Sequence, residues 1–570
     1  MLKIAKKGRL KSRILILSGA LAVLCLEALL LPKIPIWITD NGNKYIILRN
    51  FATQGNAEIA NPAKSLDSES RSFPDGGFHF QRLGTKIFSI YPEFFSLLAL
   101  PGYLLLGDAG LLFIPIVGTL TLLALFLALI APWRLSVCQE TLLVGILLVG
   151  TPLLFYSGTF WEMTVSAVFP LAALLAARKK RIFFAGLLLG MGLFFREEFY
   201  LIALFFGVSA LCLYPKKWKN YIEFALGFFI CAILLWMHNF YTYGHILGLH
   251  GALYYTHNSE SAPTLTGQLV GILEGYFIYL FKFNSANPDT VYYYYILLLP
   301  MFILPVAGAL RSMCFKKVVA IAALCSWAIL FGMLMSNPAK VSNSGLTVGF
   351  ITASPLLLGF FLMWKNLLSR GSRPVRMITL AVLLYCIVLP AILTRSDIGI
   401  IWGPRHYLLI YPILLALSVI GFVRLGWLKK PIPKIVTSVV LLSVFLQLLG
   451  IYMLFGVAKE AARAEQAIAG KTPEVVVSDV FFLPEMTPRL FFEKKWLFVK
   501  NDTEFDALIM NLKSAGVNKF TLVLSPHFRS LSDWAIAKGL ACAPLVAKPE
   551  RILAPMSGFL ELLIGECRLQ

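Results

Sequence analysis

Charged residues are scarce in this chain of 570 residues, of which they make up 14%, whereas soluble globular proteins carry about 25%. Apolar residues make up 58%, and the mean hydropathy is +0.76. This composition excludes a soluble enzyme, a disordered chain and a fibrous repeat. The nine cysteines include no Cys-x-x-Cys pair and no metal-ligand spacing with histidine, so a cysteine-based metal site is not expected.

Basic residues outnumber acidic ones by 51 to 30, which gives a net charge of +21. The basic residues lie in short clusters between apolar runs, which is typical of a multi-pass membrane protein with basic cytoplasmic loops and not of a nucleic-acid-binding protein. The first cluster, Lys3 to Arg13, precedes an apolar stretch from Ile14 to about Ile36. That stretch exceeds the apolar core of about 7–15 residues in a signal peptide. It therefore predicts an uncleaved first membrane helix with a cytoplasmic N-terminus.

Apolar runs of membrane-spanning length predict a polytopic α-helical membrane protein with about thirteen transmembrane helices. After the first helix, these runs cover 110–130, 140–157, 160–177, 182–195, 199–214, 221–240, 291–310, 317–336, 346–364, 376–394, 404–423 and 435–456.

A further apolar stretch, Phe88–Leu106, contains two prolines. If it crossed the membrane, the basic loops after it would all move outside, against the positive-inside bias. We therefore expect it to lie along the outer surface. The chain then divides into a transmembrane domain, 1–456, with outer loops at 37–109 and 241–290, and an extracytoplasmic tail, 457–570.

Strand-like and helix-like segments alternate along the tail, and this pattern predicts a small α/β domain. The segments are strands at Glu474–Leu483, Leu490–Lys500 and Lys519–Ser525, and a helix at Asp502–Ala515. The tail shows neither a Gly-rich phosphate loop nor a nucleophile elbow, which favours a recognition or stabilising cap. Cys542 and Cys567 could form a disulfide there, and the sequence leaves this open.

The outer loops carry the residues that a group transfer would need, namely a carboxylate to deprotonate an acceptor and cations for an anionic donor. Asp40 follows the first helix directly, within Asp-Asn-Gly-Asn, which equally fits a turn. The candidate acids of the first loop are Glu58, Asp67, Glu69 and Asp75. Asp67 and Glu69 form a weak acidic pair that could hold a divalent cation. Lys86 and Tyr91 precede the surface segment, where such residues are often only membrane anchors.

Two further motifs interrupt apolar runs at the outer side. Arg196-Glu197-Glu198 separates two short runs and fits either a hairpin tip or a phosphate site. Gly-Pro-Arg405-His406-Tyr opens the helix at 404–423. Helix N-termini favour anions, and arginine offers phosphate a bidentate fork, although interfacial anchoring is the alternative.

Together these motifs resemble the GT-C superfamily of membrane glycosyltransferases, notably the bacterial protein mannosyltransferase-like and aminoarabinose transferase-like enzymes. The resemblance is carried by Asp40 after helix one, by Lys86 and Tyr91-Pro92 late in the first loop, by Arg196-Glu197, and by the Gly-Pro-Arg-His-Tyr helix start. Members often read Tyr-Pro-Pro or Lys-Pro-Pro where this chain has Tyr91-Pro92-Glu93.

The resemblance implies transfer of a sugar, with inversion, from a polyprenyl-phosphate donor to a lipid, glycan or protein acceptor at the outer face. Asp40 would be the general base. The donor phosphate would be bound by Arg405 and His406, with Lys86 and Arg196. Beside the resemblance, the residues themselves make Glu58, Asp67, Glu69, Tyr91 and Glu197 candidates for acceptor or metal binding. A divalent metal could take part, and the sequence identifies no cofactor with certainty. The alternatives are a lipid or glycan transporter, which would place ionisable residues near the membrane midplane, and a non-catalytic envelope scaffold.

Overall fold

The fold is described from a computed structural model of the chain. The structure describes residues 2–32, 36, 38–74, 79–252, 265–276, 280, 291–336, 347–393, 401–403, 405–425, 434–525, 540–542, 550–554 and 558–569. Asp75, one of the acids considered above, lies outside these residues.

α-Helices, most of them apolar, dominate the described part of the first 470 residues, as the long hydrophobic runs predict. They are α1 (Leu2–Leu30), α2 (Thr39–Gln54), α3 (Phe94–Leu106), α4 (Phe113–Ile130), α5 (Val137–Val149), α6 (Leu153–Ser157), α7 (Met163–Arg178), α8 (Ile182–Gly192), α9 (Phe199–Leu213), α10 (Trp218–Tyr243), α11 (Leu265–Tyr276), α12 (Val291–Ala309), α13 (Met313–Ser336), α14 (Leu358–Arg370), α15 (Arg373–Leu393), α16 (Tyr411–Arg424) and α17 (Lys434–Ala469). A 3₁₀ helix, Arg405–Ile410, leads into α16.

Within the described residues, seven helical segments are long and apolar enough to cross a membrane, and several shorter apolar helices accompany them. Large side chains such as Trp161, Trp327 and Tyr407 are almost fully buried between helices. Leucines and isoleucines on outward faces, such as Leu105 and Ile233, remain exposed, as expected of surfaces that face lipid. The prediction of a polytopic helical membrane fold is confirmed, while the count of about thirteen helices stays a prediction.

The described residues of the loop at 37–109 are largely in helices and strands. The loop holds α2, then an antiparallel hairpin of β1 (Phe80–Leu83) and β2 (Lys86–Ser89), then α3. The 13 residues of α3 rise about 20 Å, less than the hydrocarbon core of about 30 Å. Its location along the outer surface stays a prediction, because α5 and α14 have the same length and lie in runs expected to cross the membrane.

The turn interpretation of residues 40–43 is wrong, because these residues form the first turns of α2. Asp40 there complements the positive end of the helix dipole. A glycine inside a helix costs about 1 kcal/mol relative to alanine. Gly42 is required here because a Cβ on it would lie 1.5 Å from the backbone oxygen of Glu485 in the tail.

The tail folds into a mixed sheet, as its alternating pattern predicts. Its elements are β5 (Val475–Ser478), α18 (Leu483–Met486), β6 (Lys495–Phe498), α19 (Asp502–Ser514), β7 (Lys519–Leu524), β8 (Ala541–Cys542), β9 (Glu550–Ala554) and β10 (Gly558–Arg568). The strand order is β6-β5-β7-β10-β8, with β5 parallel to β6 and β7, and β10 antiparallel to β7. β3 (Thr347–Val348) and β4 (Ile401–Trp402) pair separately, in parallel.

The helix that leads into the tail continues past the predicted boundary at 457, since α17 runs to Ala469. Cys567 is disulfide-bonded, and its register partner across β8 and β10 is Cys542. Such bonds persist in oxidising compartments, and the extracytoplasmic position of the tail stays a prediction.

Candidate active site

Asp40 and Arg405 form a buried ion pair between residues 365 positions apart in the chain. The Arg405 Nη1 donates to Asp40 Oδ2 over 2.7 Å, and Asp40 is 6% exposed. The Tyr91 hydroxyl donates to the other carboxylate oxygen over 2.6 Å. Three separate motifs of the sequence therefore meet at one carboxylate.

A second group of buried charges is centred on Arg196. Its Nη1 donates to Glu162 Oε1 over 2.9 Å, and its Nε donates to Glu198 over 3.0 Å. The ring nitrogen Nδ1 of His406 contacts both Arg196, at 3.1 Å, and the Glu198 carboxylate. Here the fixed contacts satisfy charges that would otherwise be costly to bury.

Lys44 joins the two groups. Its Nζ lies 3.3 Å from Glu162 Oε2 and 4.3 Å from the centre of the Tyr91 ring. Lys44 is one helical turn after Asp40, so both side chains project from the same face of α2. The guanidinium carbon of Arg405 lies 5.0 Å from the Trp161 ring, beside Glu162. The result is one continuous buried network with three cations.

Helix N-termini converge on this network. Asp40 lies in the first turn of α2. Glu162 and Glu198 immediately precede α7 and α9, and Arg405 begins the 3₁₀ helix before α16. A carboxylate near a helix N-terminus is stabilised by about 0.3–1 kcal/mol, and the same ends attract bound anions.

The surroundings keep Asp40 ionised. Burial alone would raise the pKa of Asp40, but the charges of Arg405 and Lys44 and the hydrogen bond from Tyr91 hold it below its usual range. Burial and the neighbouring Asp40 charge raise the pKa of Tyr91 well above its ordinary value. The phenol therefore remains a donor to the carboxylate at neutral pH.

Four residues considered from the sequence lie outside this network. Lys86 is 60% exposed in its side chain and lies 3.6 Å from Glu58. Glu69, 64% exposed in its side chain, pairs with Arg71. Asp67 accepts the backbone amides of Arg71 and Ser72 and so shapes its own loop. No group of three or more candidate metal ligands occurs among the described residues.

A cavity of about 260 Å³ adjoins the network at Tyr91. Its polar lining includes Glu93, Glu197, Tyr200, Asn239 and His250. Glu197 lies 3.4 Å from the Nδ1 of His250. Glu93 is held by Tyr243, whose hydroxyl donates to it over 2.8 Å. The remaining lining is mainly apolar, so the cavity suits an amphiphilic molecule whose polar end approaches Tyr91.

Sequence reasoning missed four charged or titratable residues of the centre, Lys44, His79, Glu162 and Glu485, and it named Glu198 within its motif without giving it a role. Lys44 has a usable signal, because it lies four positions after Asp40 in what proves to be a helix. Glu162 could have been recognised as an acid directly before an apolar helical run. His79 and Glu485 join the site only through the tertiary fold and show no local pattern.

No protein-family model matches the chain, and no curated protein matches it. Among solved structures, the crystal structure of ArnT from Cupriavidus metallidurans in the apo state is similar over 98% of this chain and 98% of that chain, with a TM-score of 0.50 and 13% sequence identity. The chain has the fold of ArnT. A crystal structure of the same ArnT bound to undecaprenyl phosphate is similar over 97% of each chain, with a TM-score of 0.41 and 13% identity. The predicted similarity of layout is confirmed for the fold by the apo structure.

Proposed function

We propose that this protein is a membrane glycosyltransferase that moves a sugar from a polyprenyl-phosphate-linked donor to an acceptor at the extracytoplasmic face. The observation that carries the proposal is the buried pair of Asp40 and Arg405 within a network of cations at converging helix N-termini. The ArnT-like fold supports it, and ArnT itself has been crystallised with undecaprenyl phosphate.

Asp40 is suited to act as the general base. It is ionised and held from two sides, by Arg405 and Tyr91. A positioned carboxylate that accepts a proton in the transition state contributes about 10²–10⁴-fold to a rate. The acceptor hydroxyl or amine would approach Asp40 from the cavity that adjoins Tyr91.

Arg405 is the first candidate ligand of the donor phosphate, with Arg196 and Lys44 behind it. A guanidinium carries five N–H donors in a planar fork, so Arg405 can bind Asp40 and a phosphate oxygen together. Fixed cations in a water-poor site stabilise the charge that develops on a leaving phosphate. His406 would take part indirectly, by holding Arg196 and Glu198 in place.

In the proposed reaction, the acceptor oxygen or nitrogen forms a bond to the anomeric carbon of the sugar while the bond from that carbon to the phosphate oxygen breaks. Asp40 takes the acceptor proton, and the polyprenyl phosphate leaves with the bonding electron pair. The positive charge of Arg405 lowers the pKa of Asp40. A donor phosphate bound to Arg405 would offset part of that charge and so raise the pKa of Asp40. The carboxylate is then a stronger base in the donor complex than in the free protein. It therefore accepts a proton mainly when a sugar can be transferred.

The proposed orientation places the N-terminus in the cytoplasm and the tail outside, following the positions of the basic loops. The charge network lies on the tail side of the molecule, because α18 of the tail packs directly on α2. The acceptor class, whether lipid, glycan or protein, follows from the test below.

The test is sugar transfer by the purified protein in proteoliposomes, with radiolabelled polyprenyl-phosphate sugars and lipid, glycan and protein acceptors from a bacterial envelope. We expect transfer from at least one donor, competed by undecaprenyl phosphate. Arg405→Gln should raise the donor KM about 10–100-fold, the value of one charge-assisted hydrogen bond of about 1.5–3 kcal/mol. Arg71→Gln, at an arginine whose side chain is 80% exposed, is the matched control. Absence of transfer from every donor, or an unchanged KM in Arg405→Gln, would contradict the proposal.

A further inference from the structure

The extracytoplasmic tail places a carboxylate in the centre of the transmembrane domain's site. Glu485 lies on the short helix α18, and its side chain is 0% exposed. The backbone of α18 touches α2 at Gly42, two residues after Asp40, so closely that no Cβ fits between them. The tail thus forms one wall of the site.

Glu485 holds a histidine of the first outer loop. Its Oε2 lies 2.6 Å from the Nδ1 of His79. The His79 carbonyl accepts the amide of Ile90 over 2.9 Å, which fixes the histidine to the segment that carries Tyr91. The rings of His79 and Tyr91 lie 6.0 Å apart, tilted by 34°. A chain of contacts therefore runs from Glu485 through His79 and Tyr91 to Asp40.

The electrostatics agree with this geometry. Burial alone would lower the pKa of His79, but the carboxylates of Glu485 and Asp40 raise it above its usual range. The charge of His79 in turn contributes to the lowered pKa of Asp40. A simple packing contact between the tail and α2 would not require a carboxylate and an imidazole. Apolar residues of similar volume often stabilise such a buried position equally well or better.

We propose that Glu485 is a positioning residue of the active site, which holds His79 against Tyr91 and thereby fixes the hydrogen bond from Tyr91 to Asp40. This inference rests on the proposed glycosyl transfer, since it assigns the tail a part in that reaction. It makes the tail a component of the catalytic centre, beyond the recognition or stabilising role that its sequence favours.

The experiment compares Glu485→Gln, Glu485→Asp and His79→Gln in the full-length protein by sugar-transfer kinetics and thermal unfolding. Displacement of a reacting group by about 1 Å costs on the order of 10²-fold in rate. Glu485→Gln and His79→Gln should each lower kcat by that order and leave the donor KM within about threefold, as expected when only the transition state is affected. Glu485→Asp, which keeps the charge, should recover part of kcat. Glu474→Gln, at a tail carboxylate that is 73% exposed, is the matched control.

The double variant Glu485→Gln/His79→Gln distinguishes one shared positioning role from two independent structural effects. Residues that act through one contact are not additive, so the double variant should be no slower than the slower single variant. Additive losses, or a kcat in Glu485→Gln within about threefold of wild type, would overturn the inference and leave the proposed function intact. If Glu485→Gln unfolds, His79→Gln breaks the same contact from the first loop and carries the test. A wild-type protein that transfers no sugar refutes the proposed function, and the inference falls with it.

Discussion

Removal of Arg405 should destabilise the protein chiefly because it leaves Asp40 buried without its main counter-ion. In Arg405→Gln the carboxylate keeps the Tyr91 hydroxyl and the more distant charge of Lys44, but it loses the 2.7 Å ion pair. Loss of one partner of a buried ion pair costs about 3–5 kcal/mol. The contact of Arg405 with the Trp161 ring, at 5.0 Å, adds about 0.5–2 kcal/mol to the loss.

The double variant Asp40→Asn/Arg405→Gln should recover part of that loss, because no unpaired carboxylate then remains in the interior. Asp40→Asn alone should be less stable than wild type and more stable than Arg405→Gln, since the buried Arg405 that it leaves still contacts the aromatic ring of Trp161. The order of stability we expect is wild type, then the double variant, then Arg405→Gln.

Thermal unfolding in detergent at pH 7 measures this order. The pKa of Asp40 is lowered in the folded protein, so its stabilisation is fully present above the unfolded value of about 3.9 and is lost only as the pH falls through the lower folded value. A measurement at pH 7 therefore sees all of it. A double variant that melts at the same temperature as Arg405→Gln, or below it, would refute the argument that Asp40 destabilises the fold once Arg405 is removed.

Three further outcomes follow from the contacts. Gly42→Ala should lower both the melting temperature and sugar transfer, since its methyl group would meet the Glu485 backbone at 1.5 Å, whereas Gly19→Ala, with nothing within 4 Å, should do neither. Cys567→Ser should destabilise the tail by about 2–4 kcal/mol, the usual worth of a disulfide, as measured by limited proteolysis; equal proteolysis rates would contradict this. Lys86→Gln, at a side chain 60% exposed, should change the donor KM by less than about threefold, and a larger rise would show that Lys86 reaches the donor.

The membrane helices could be predicted from hydropathy because each apolar run is a local property of the chain. The run at 221–240, for example, corresponds to α10, Trp218–Tyr243. The beginning of α2 could not be predicted in this way. Asp-Asn-Gly-Asn is rich in turn formers, and the close packing of the tail against Gly42, which accounts for the glycine in this helix, is a tertiary contact that no local pattern shows.

The site was partly predictable for a related reason. Asp40 and Arg405 stood out because acids and cations at the edges of apolar runs are costly and therefore informative, and Tyr91 stood out through the family resemblance. Lys86 stood out by the same criterion, yet its side chain lies in solvent beside Glu58. Glu485 gave no signal, because its environment depends on a contact between the tail and α2 that no local pattern encodes.

The central claim is that Asp40 is the base of a sugar transfer, and the most direct measurement is the single-turnover transfer rate of Asp40→Asn with saturating polyprenyl-phosphate sugar. The account predicts a rate about 10²–10⁴-fold below wild type, with undecaprenyl phosphate still bound through Arg405. Glu69→Gln, which changes an exposed carboxylate of the same loop, should transfer at the wild-type rate. Transfer by Asp40→Asn at the wild-type rate would contradict the account.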